Sequence, residues 1–478
     1  MGELVTIKID NQEVQVPKGI NLIEAAKIIG IEIPHYCYHP DLSIAGNCRM
    51  CQVKVSNSPK LVIACNTFAS EGLEVFTHHT NEEVKKTQED NLEFILKNHP
   101  LDCTVCDQAG HCKLQDYYFE YSRRESRLLE TKTKKKKAFP IGPHVVLDAE
   151  RCILCSRCVR FCDEITKTGE LTILNRGDKS EIAIHPERQL DNPLSATVID
   201  LCPVGALTYR DWRFRSRIWF SEAVDTICLG CSTNCSVKVH HRDGEIVTIK
   251  ARYNPLVNKE WLCDEGRFGF NRFIPKRRKL KSREDIARDL QIIKEAFLKG
   301  QSKTVLLSSF LTVEEILLFH KISEKFPNLS FASLIIDRNL SEVEKVLISP
   351  DYSPNKKVFE LLNFSKFDSR KAQSENLIGV GITTFEANLV GLKPESFEIL
   401  VSAYAELAGD NTVFIPTKNV YEKEGKFLNS SGVLQDLNPI FPTNKWLSEF
   451  QIFFELFSDK IGTFDLHQFS NLIQQSEL

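Results

Sequence analysis

Apolar and polar residues alternate from the start of the chain. LVTIKIDNQEVQV (4–16) alternates on both sides of Asp10-Asn11, which predicts a β-hairpin. The period then lengthens to that of a helix over Asn21–Ile29, with Asn21 as its cap. LVIAC (61–65) is strand-like again. Glu82–Lys97 places Val84, Leu92, Ile95 and Leu96 at helical spacing and stops before His99-Pro100, because a residue preceding proline is driven out of the helical region. VKVHHRDGEIVTIKA (237–251) predicts a second hairpin, turned at Asp243-Gly244, and TVLLSSFLTVEEILLFHKI (304–322) predicts a strand followed by a helix. A chain of 478 residues exceeds what one core supports, so an α+β protein of several domains is expected.

Lys and Arg number 61 against 64 Asp and Glu, a net charge of -3, which provides no global field for nucleic acid. MGELVTIKID (1–10) has the pattern of a strand instead of a signal peptide. Met1-Gly2 with Thr6 fits the loose myristoylation pattern, but Thr6 alternates with Val5 and Ile7 as in a strand, and the match is read as chance. No run of about eighteen apolar residues predicts a membrane helix.

The chemistry lies in the cysteines. There are 16, and fifteen of them with one histidine sort into four sets of four. Cys37, Cys48, Cys51 and Cys65 follow the hairpin and helix in the order of a β-grasp ferredoxin, which implies a [2Fe–2S] centre. Ten residues separate the first two cysteines where the plant-type spacing has four, so the loop is longer. Ala45 and Gly46 would let backbone N–H groups approach the sulfides. His99, Cys103, Cys106 and Cys112 form H-x3-C-x2-C-x5-C and imply a [4Fe–4S] centre with one imidazole ligand. His111 competes for that role; His99 is preferred because it lies one turn from Cys103 and not beside a cysteine already used. After a basic run at 132–137, expected to be a solvated linker, Cys152, Cys155, Cys158 and Cys162 form the bacterial ferredoxin run C-x2-C-x2-C-x3-C. In that fold the fourth cysteine serves a second cluster, so the ligands expected here are Cys152, Cys155, Cys158 and Cys202, and Cys162 is a spare buried thiol. The rival assignment exchanges Cys162 and Cys202. Ile153, Leu154, Val159 and Phe161 are the expected apolar shell. Cys228, Cys231, Cys235 and Cys263 complete a fourth set, a further [4Fe–4S] centre. Zinc could occupy any one such set, and disulfides suit smaller secreted chains.

The order of these sets, with HPLDCTVCDQAGHCKLQD (99–116), RCILCSRCVRFCDEI (151–165) and DLCPVGALT (200–208), resembles the large iron–sulfur subunit of respiratory complex I over roughly residues 1–275. In bacteria this is the G-subunit family of NADH-quinone oxidoreductase, with a mitochondrial 75-kDa counterpart. The resemblance implies five regions: a [2Fe–2S] β-grasp domain (1–80), a helical segment with one His and three Cys ligands (81–130) and a ferredoxin-like [4Fe–4S] domain (140–222). A molybdopterin-oxidoreductase-type [4Fe–4S] β segment (223–278) and a shortened α/β lobe (279–478) complete it. It further implies electron transfer from an NADH/FMN-binding flavoprotein subunit toward quinone, with no catalytic site on this chain, and a peripheral place on the cytoplasmic side of the inner membrane. Membrane contact would come only through the other peripheral-arm subunits. Residues 225–275, including NPLVNKEWLCDEGRFGF, and 412–435 are similar to molybdopterin oxidoreductases, but no molybdenum cofactor is expected: only His320 and His467 follow Cys263, and no Gly-rich phosphate loop is present. The alternatives are electron-relay subunits of a formate dehydrogenase or an NAD-linked hydrogenase.

Overall fold

Asp10 and Asn11 both take positive φ, 47° and 67°, the backbone twist that a two-residue hairpin requires. The strands they join, Leu4–Ile9 and Gln12–Pro17, pair antiparallel with Ile7 opposite Val14. This is a computed structural model, and it describes residues 3–122, 125–276, 280–299, 303–371 and 377–462; His467 lies outside them. The described chain forms two compact units, 1–221 and 222–478.

In the first unit the hairpin belongs to a five-stranded mixed sheet, with Glu74–Phe76 parallel to Leu4–Ile9 and followed by Gln52–Val55 and Val62–Ile63. The helix Leu22–Ile28, capped by Asn21 through the Glu24 N–H, buries Leu22, Ile23, Ala25 and Ala26 against it. The helix Glu82–Asn98 starts at the Asn81 cap and ends at His99, whose extended backbone precedes Pro100. A short helix, Lys113–Tyr121, begins directly after Cys112. The ferredoxin-like part has a three-stranded sheet of Phe139–Pro140, Val145–Leu147 and Leu207–Tyr209, and a hairpin of Leu171–Leu174 with Glu181–Ile184.

The second unit opens with a three-stranded antiparallel sheet of Glu222–Ile227, Ser236–Arg242 and Glu245–Ala251, turned at Asp243 and Gly244, both at positive φ. Beyond it lies a six-stranded parallel sheet. Its spatial order is Ser365–Lys366, Ser330–Leu334, Thr304–Ser308, Leu377–Val380, Phe397–Ser402 and Val413–Pro416. That is the 3-2-1-4-5-6 order of a doubly wound α/β fold. Strand periodicity divides its core between the two faces: Val305, Leu307, Ile378, Val380, Ile399 and Val401 join one apolar cluster, while Leu306, Leu377 and Leu400 join the other.

Three charges lie buried beside the sheet. Lys423 pairs with Glu315 of the helix Val313–Lys325 at 3.1 Å and with Glu449 of the helix Glu449–Ile461 at 2.5 Å, all nearly inaccessible to water. Burial holds the Glu449 carboxyl up at about 7, and the Lys423 ammonium is the cation that opposes this. Removing the lysine would strand two buried carboxyl groups. Lys423→Ala is expected to lower unfolding free energy by about 3–5 kcal/mol, read as a fall in the urea midpoint of the second unit.

Candidate iron–sulfur sites

The first set assembles at the open end of the β-grasp sheet. The loop 30–51 carries Cys37, Cys48 and Cys51, and Cys65 sits in the 3-10 turn Ala64–Asn66 behind it. Cys37 is hydrogen-bonded to Cys48, and Cys51 to Cys65, so the four sulfurs meet as two pairs. Two irons ligated by two thiolates each need that pairing. Two of the backbone N–H groups that reach sulfur, those of Asn47 and Cys48, are directed at Cys37. They stand one and two residues beyond the Ala45-Gly46 pair singled out from sequence; Gly46, at φ +61°, makes the turn that aims them.

His99, Cys103, Cys106 and Cys112 line one broad cleft, with about 1760 Å³ of atom-free space partly open to solvent; His111 does not line it. The helix ending at His99 and the helix beginning after Cys112 hold its two sides. The His99 ring is hydrogen-bonded to the Arg151 backbone, while its Nδ1 is buried without a hydrogen-bond partner among the described residues. Burial depresses its pKa to about 4, so the ring is a neutral donor at pH 7. Cys103 is the one exposed cysteine of the set.

Cys152, Cys155, Cys158 and Cys202 surround a small hollow, and Cys162 is not among its walls. Leu154 and Ser156, neither a glycine, take φ of +56° and +61°. The loop thereby curls around the hollow at the expense of local strain. Cys162 is buried in the π-helical turn Phe161–Ile165 and is hydrogen-bonded to Glu170. Of the expected apolar shell only Ile153 lines the hollow. Leu147, Ile182, Val204 and Leu207 supply the rest, from strands and a loop distant in the chain.

The fourth set closes around a small hollow in the second unit, between the end of Glu222–Ile227, the start of Ser236–Arg242 and the N-cap of the helix Asp264–Phe268. Arg272 and Arg338 line the same space and share Glu265, with Arg338 at 2.6 Å from it. Sequence reasoning missed both arginines, because neither lies inside the cysteine motif.

The donor sets fit iron–sulfur clusters in two further respects. Glycine stands where a side chain would strike sulfur: a Cβ on Gly205 would lie 2.0 Å from Cys106 Sγ, and one on Gly266 would lie 2.9 Å from Cys228 Sγ. Backbone N–H groups also point at sulfur, Leu154 to Cys152 at 3.4 Å, Gly230 to Cys228 at 3.4 Å and Gly266 to Cys263 at 3.3 Å. Such bonds are a means of setting cluster potential. Among the described residues no group of three or more His, Cys, Asp or Glu is arranged to hold a single ion. The second, third and fourth sets ring open space, whereas one zinc would draw its sulfurs to within about 2.3 Å of a point.

The third set adjoins both other sets of its unit. Toward the first, Asn47 donates to the Leu154 carbonyl at 3.0 Å, Ser43 N–H donates to Glu164 at 2.8 Å, and Arg157 and Arg160 donate to carbonyls of the first loop. Toward the second, the segment 202–206 is a shared wall. Cys202 and Val204 line the third hollow, Gly205 lines the second cleft, and Pro203 O lies 3.9 Å from Cys112 Sγ.

The basic run 132–137 is a strap and not a solvated linker. Lys132 donates to the Leu96 and Lys97 carbonyls at the end of the preceding helix, at 2.8 and 2.9 Å, and Lys137 bridges Asp102 and Glu150 at 2.5 and 3.0 Å. Unsatisfied helix carbonyls attract such cations. In the parallel lobe, the point where the strand order reverses is filled by the buried Glu386 carboxylate. It accepts from Ser308 Oγ at 2.7 Å, Ser309 N–H at 3.0 Å and Thr383 N–H at 3.1 Å.

Family models match the segments that carry the four cysteine sets: a 2Fe-2S iron-sulfur cluster binding domain (2–80), the NADH-ubiquinone oxidoreductase-G iron-sulfur binding region (88–127), the NADH-quinone oxidoreductase subunit 3 ferredoxin-like domain (142–208) and the molybdopterin oxidoreductase Fe4S4 domain (221–273). The G subunit of NADH-quinone oxidoreductase from Streptomyces coelicolor is 36% identical over 351 residues, 70% of this chain and 40% of that protein. The NADH-ubiquinone oxidoreductase 75 kDa subunit of Reclinomonas americana is 40% identical over 302 residues, 63% of this chain and 41% of that protein. Through these four regions the chain is similar to the G-subunit family of NADH-quinone oxidoreductase. It spans about two fifths of the length of these relatives. A solved NAD+-reducing [NiFe]-hydrogenase is 28% identical, with a TM-score of 0.40, over 45% of this chain and 91% of that one.

Without metal, burial keeps the thiols of the third and fourth sets neutral, whereas the hydrogen bond from Cys48 lowers Cys37 in the first set to about 5. Burial pushes Cys152 and Cys202 up to about 12, and Cys158, Cys235 and Cys263 well above the ordinary thiol value. A thiol whose pKa is raised by folding contributes stability that is complete below the unfolded value, about 9, and is lost as pH rises toward the folded one. The urea midpoint of the metal-free, reduced protein is therefore expected to fall progressively between pH 9 and pH 12.

Proposed function

We propose that this chain is an electron-carrying iron–sulfur subunit of an NADH:quinone oxidoreductase, receiving electrons from an NADH/FMN-binding flavoprotein subunit and passing them toward quinone. It would hold one [2Fe–2S] cluster at Cys37, Cys48, Cys51 and Cys65, and three [4Fe–4S] clusters: at His99, Cys103, Cys106 and Cys112; at Cys152, Cys155, Cys158 and Cys202; and at Cys228, Cys231, Cys235 and Cys263. The observation that carries the reading is the continuity of the first three sets, in which the third shares walls with both of the others. Bound clusters supply one-electron redox chemistry. The chain's own residues hold them through thiolate and imidazole donors, keep water from the third and fourth, and direct N–H groups and guanidinium charge at sulfur. Among the described residues no helix is long and apolar enough to cross a membrane, and the likeness to complex I subunits supports a peripheral place, which we assign to the cytoplasmic face through partner subunits.

Anaerobic iron analysis is expected to return about fourteen irons per chain, the sum of one binuclear and three tetranuclear centres. Cys202→Ala should lose about four of them while Cys162→Ala loses none; the reverse pattern would exchange the two assignments. His99→Cys should leave the second cluster assembled and move its potential downward in an EPR-monitored redox titration, because an anionic thiolate replaces a neutral ring. An unchanged potential would remove His99 from the ligand set.

A further inference from the structure

Arg160 is buried between two of the donor sets. Its Nη2 donates to the Cys37 carbonyl at 2.5 Å and to the Cys155 carbonyl at 3.3 Å. Nη1 donates to the Ser43 carbonyl, and Nε donates to Ser156 Oγ at 3.2 Å. Cys37 and Cys155 belong to different sets, so one guanidinium nitrogen joins a residue of the first set to a residue of the third. The route from sulfur to sulfur then runs through Cβ, Cα and carbonyl of Cys37, two hydrogen bonds on a single nitrogen, and carbonyl, Cα and Cβ of Cys155.

We propose that Arg160 is a bridging residue that couples the first and third clusters. This rests on the proposed function, in which both sets carry clusters. Two consequences follow from the geometry. The planar fork fixes the separation of the two loops, which a flexible side chain would leave free to vary. Its permanent positive charge also lies close to both sets in a water-poor interface, where charge is weakly screened. Each cluster becomes more negative on reduction, so one cation stabilises the reduced state of both.

The test is an EPR-monitored redox titration of the loaded, full-length protein with Arg160→Gln and Arg160→Lys. In Arg160→Gln the first and third clusters are both expected to become harder to reduce. The reduced-to-oxidised ratio at fixed potential should drop about tenfold, equivalent to 59 mV for one electron. The His99 cluster, held elsewhere in the unit, serves as the internal control and should not move. Arg160→Lys, which keeps the cation, should restore both ratios toward wild type. A shift of only one cluster, or of neither, overturns the proposal. If Arg160→Gln binds less iron than wild type, Arg160→Lys decides: loading of both clusters at wild-type potentials supports the bridge, and failure to load either marks Arg160 as structural only. Absence of the two signals from the wild-type protein would instead overturn the assignment of the sites.

Discussion

Sulfur donors have to be buried together before they can hold anything, and burial makes them poor donors. Removed from water, a thiol resists ionisation, as the raised pKa values of Cys152, Cys158, Cys202, Cys235 and Cys263 record. Metal binding must supply the free energy of deprotonation, and the surrounding chain must lower it. The features around each set answer this one constraint. N–H groups of Asn47, Cys48, Leu154, Gly230 and Gly266 point at sulfur, and glycine replaces larger residues where a Cβ would collide with it. Guanidinium groups lie within or beside the hollows, Arg272 and Arg338 at the fourth set and Arg157 at the third.

Sharing of walls follows from economy of chain. Five residues after Leu201 serve two sets at once, because Cys202 turns one way and Gly205 presents bare backbone the other way to Cys106. Arg151 lines the second cleft and its neighbour Cys152 lines the third hollow. The bare backbone of Gly205 leaves no side chain between itself and Cys106, and this keeps the second and third sets near one another. Burying Arg157 and Arg160 would be costly without partners. Each donates to carbonyls of the first loop, so docking of that loop and burial of the cations go together.

The parallel lobe is built to the opposite rule, with its polar groups consumed internally. At the reversal of strand order, where α/β sheets commonly receive ligands, Glu386 takes up the hydroxyl and N–H donors of Ser308, Ser309 and Thr383. Lys423 ties two helices to one loop through Glu315 and Glu449. These buried charges hold packing together without leaving donors free.

Local periodicity was enough to locate the hairpins at Asp10-Asn11 and Asp243-Gly244, the helix ending at His99 and the strand at Thr304–Ser308, because each depends on turn chemistry or on one amphipathic face. Cysteine spacing likewise identified four donor sets, since ligands on one loop must be near neighbours in sequence. Spacing could not identify Ile182, Val204 and Leu207 as the walls of the third hollow, nor the lysine strap, because these arrive from elsewhere in the chain. Chain order is also no guide to proximity: the third set follows the second in sequence, yet its loop is joined to the first through Asn47, Arg157 and Arg160. Sequence alone groups donor residues that are near neighbours on one loop, a matter of local donor chemistry. Which groups are neighbours was decided only by tertiary structure, because long-range carbonyl and guanidinium contacts such as Cys37–Arg160–Cys155 leave no periodic trace in the chain.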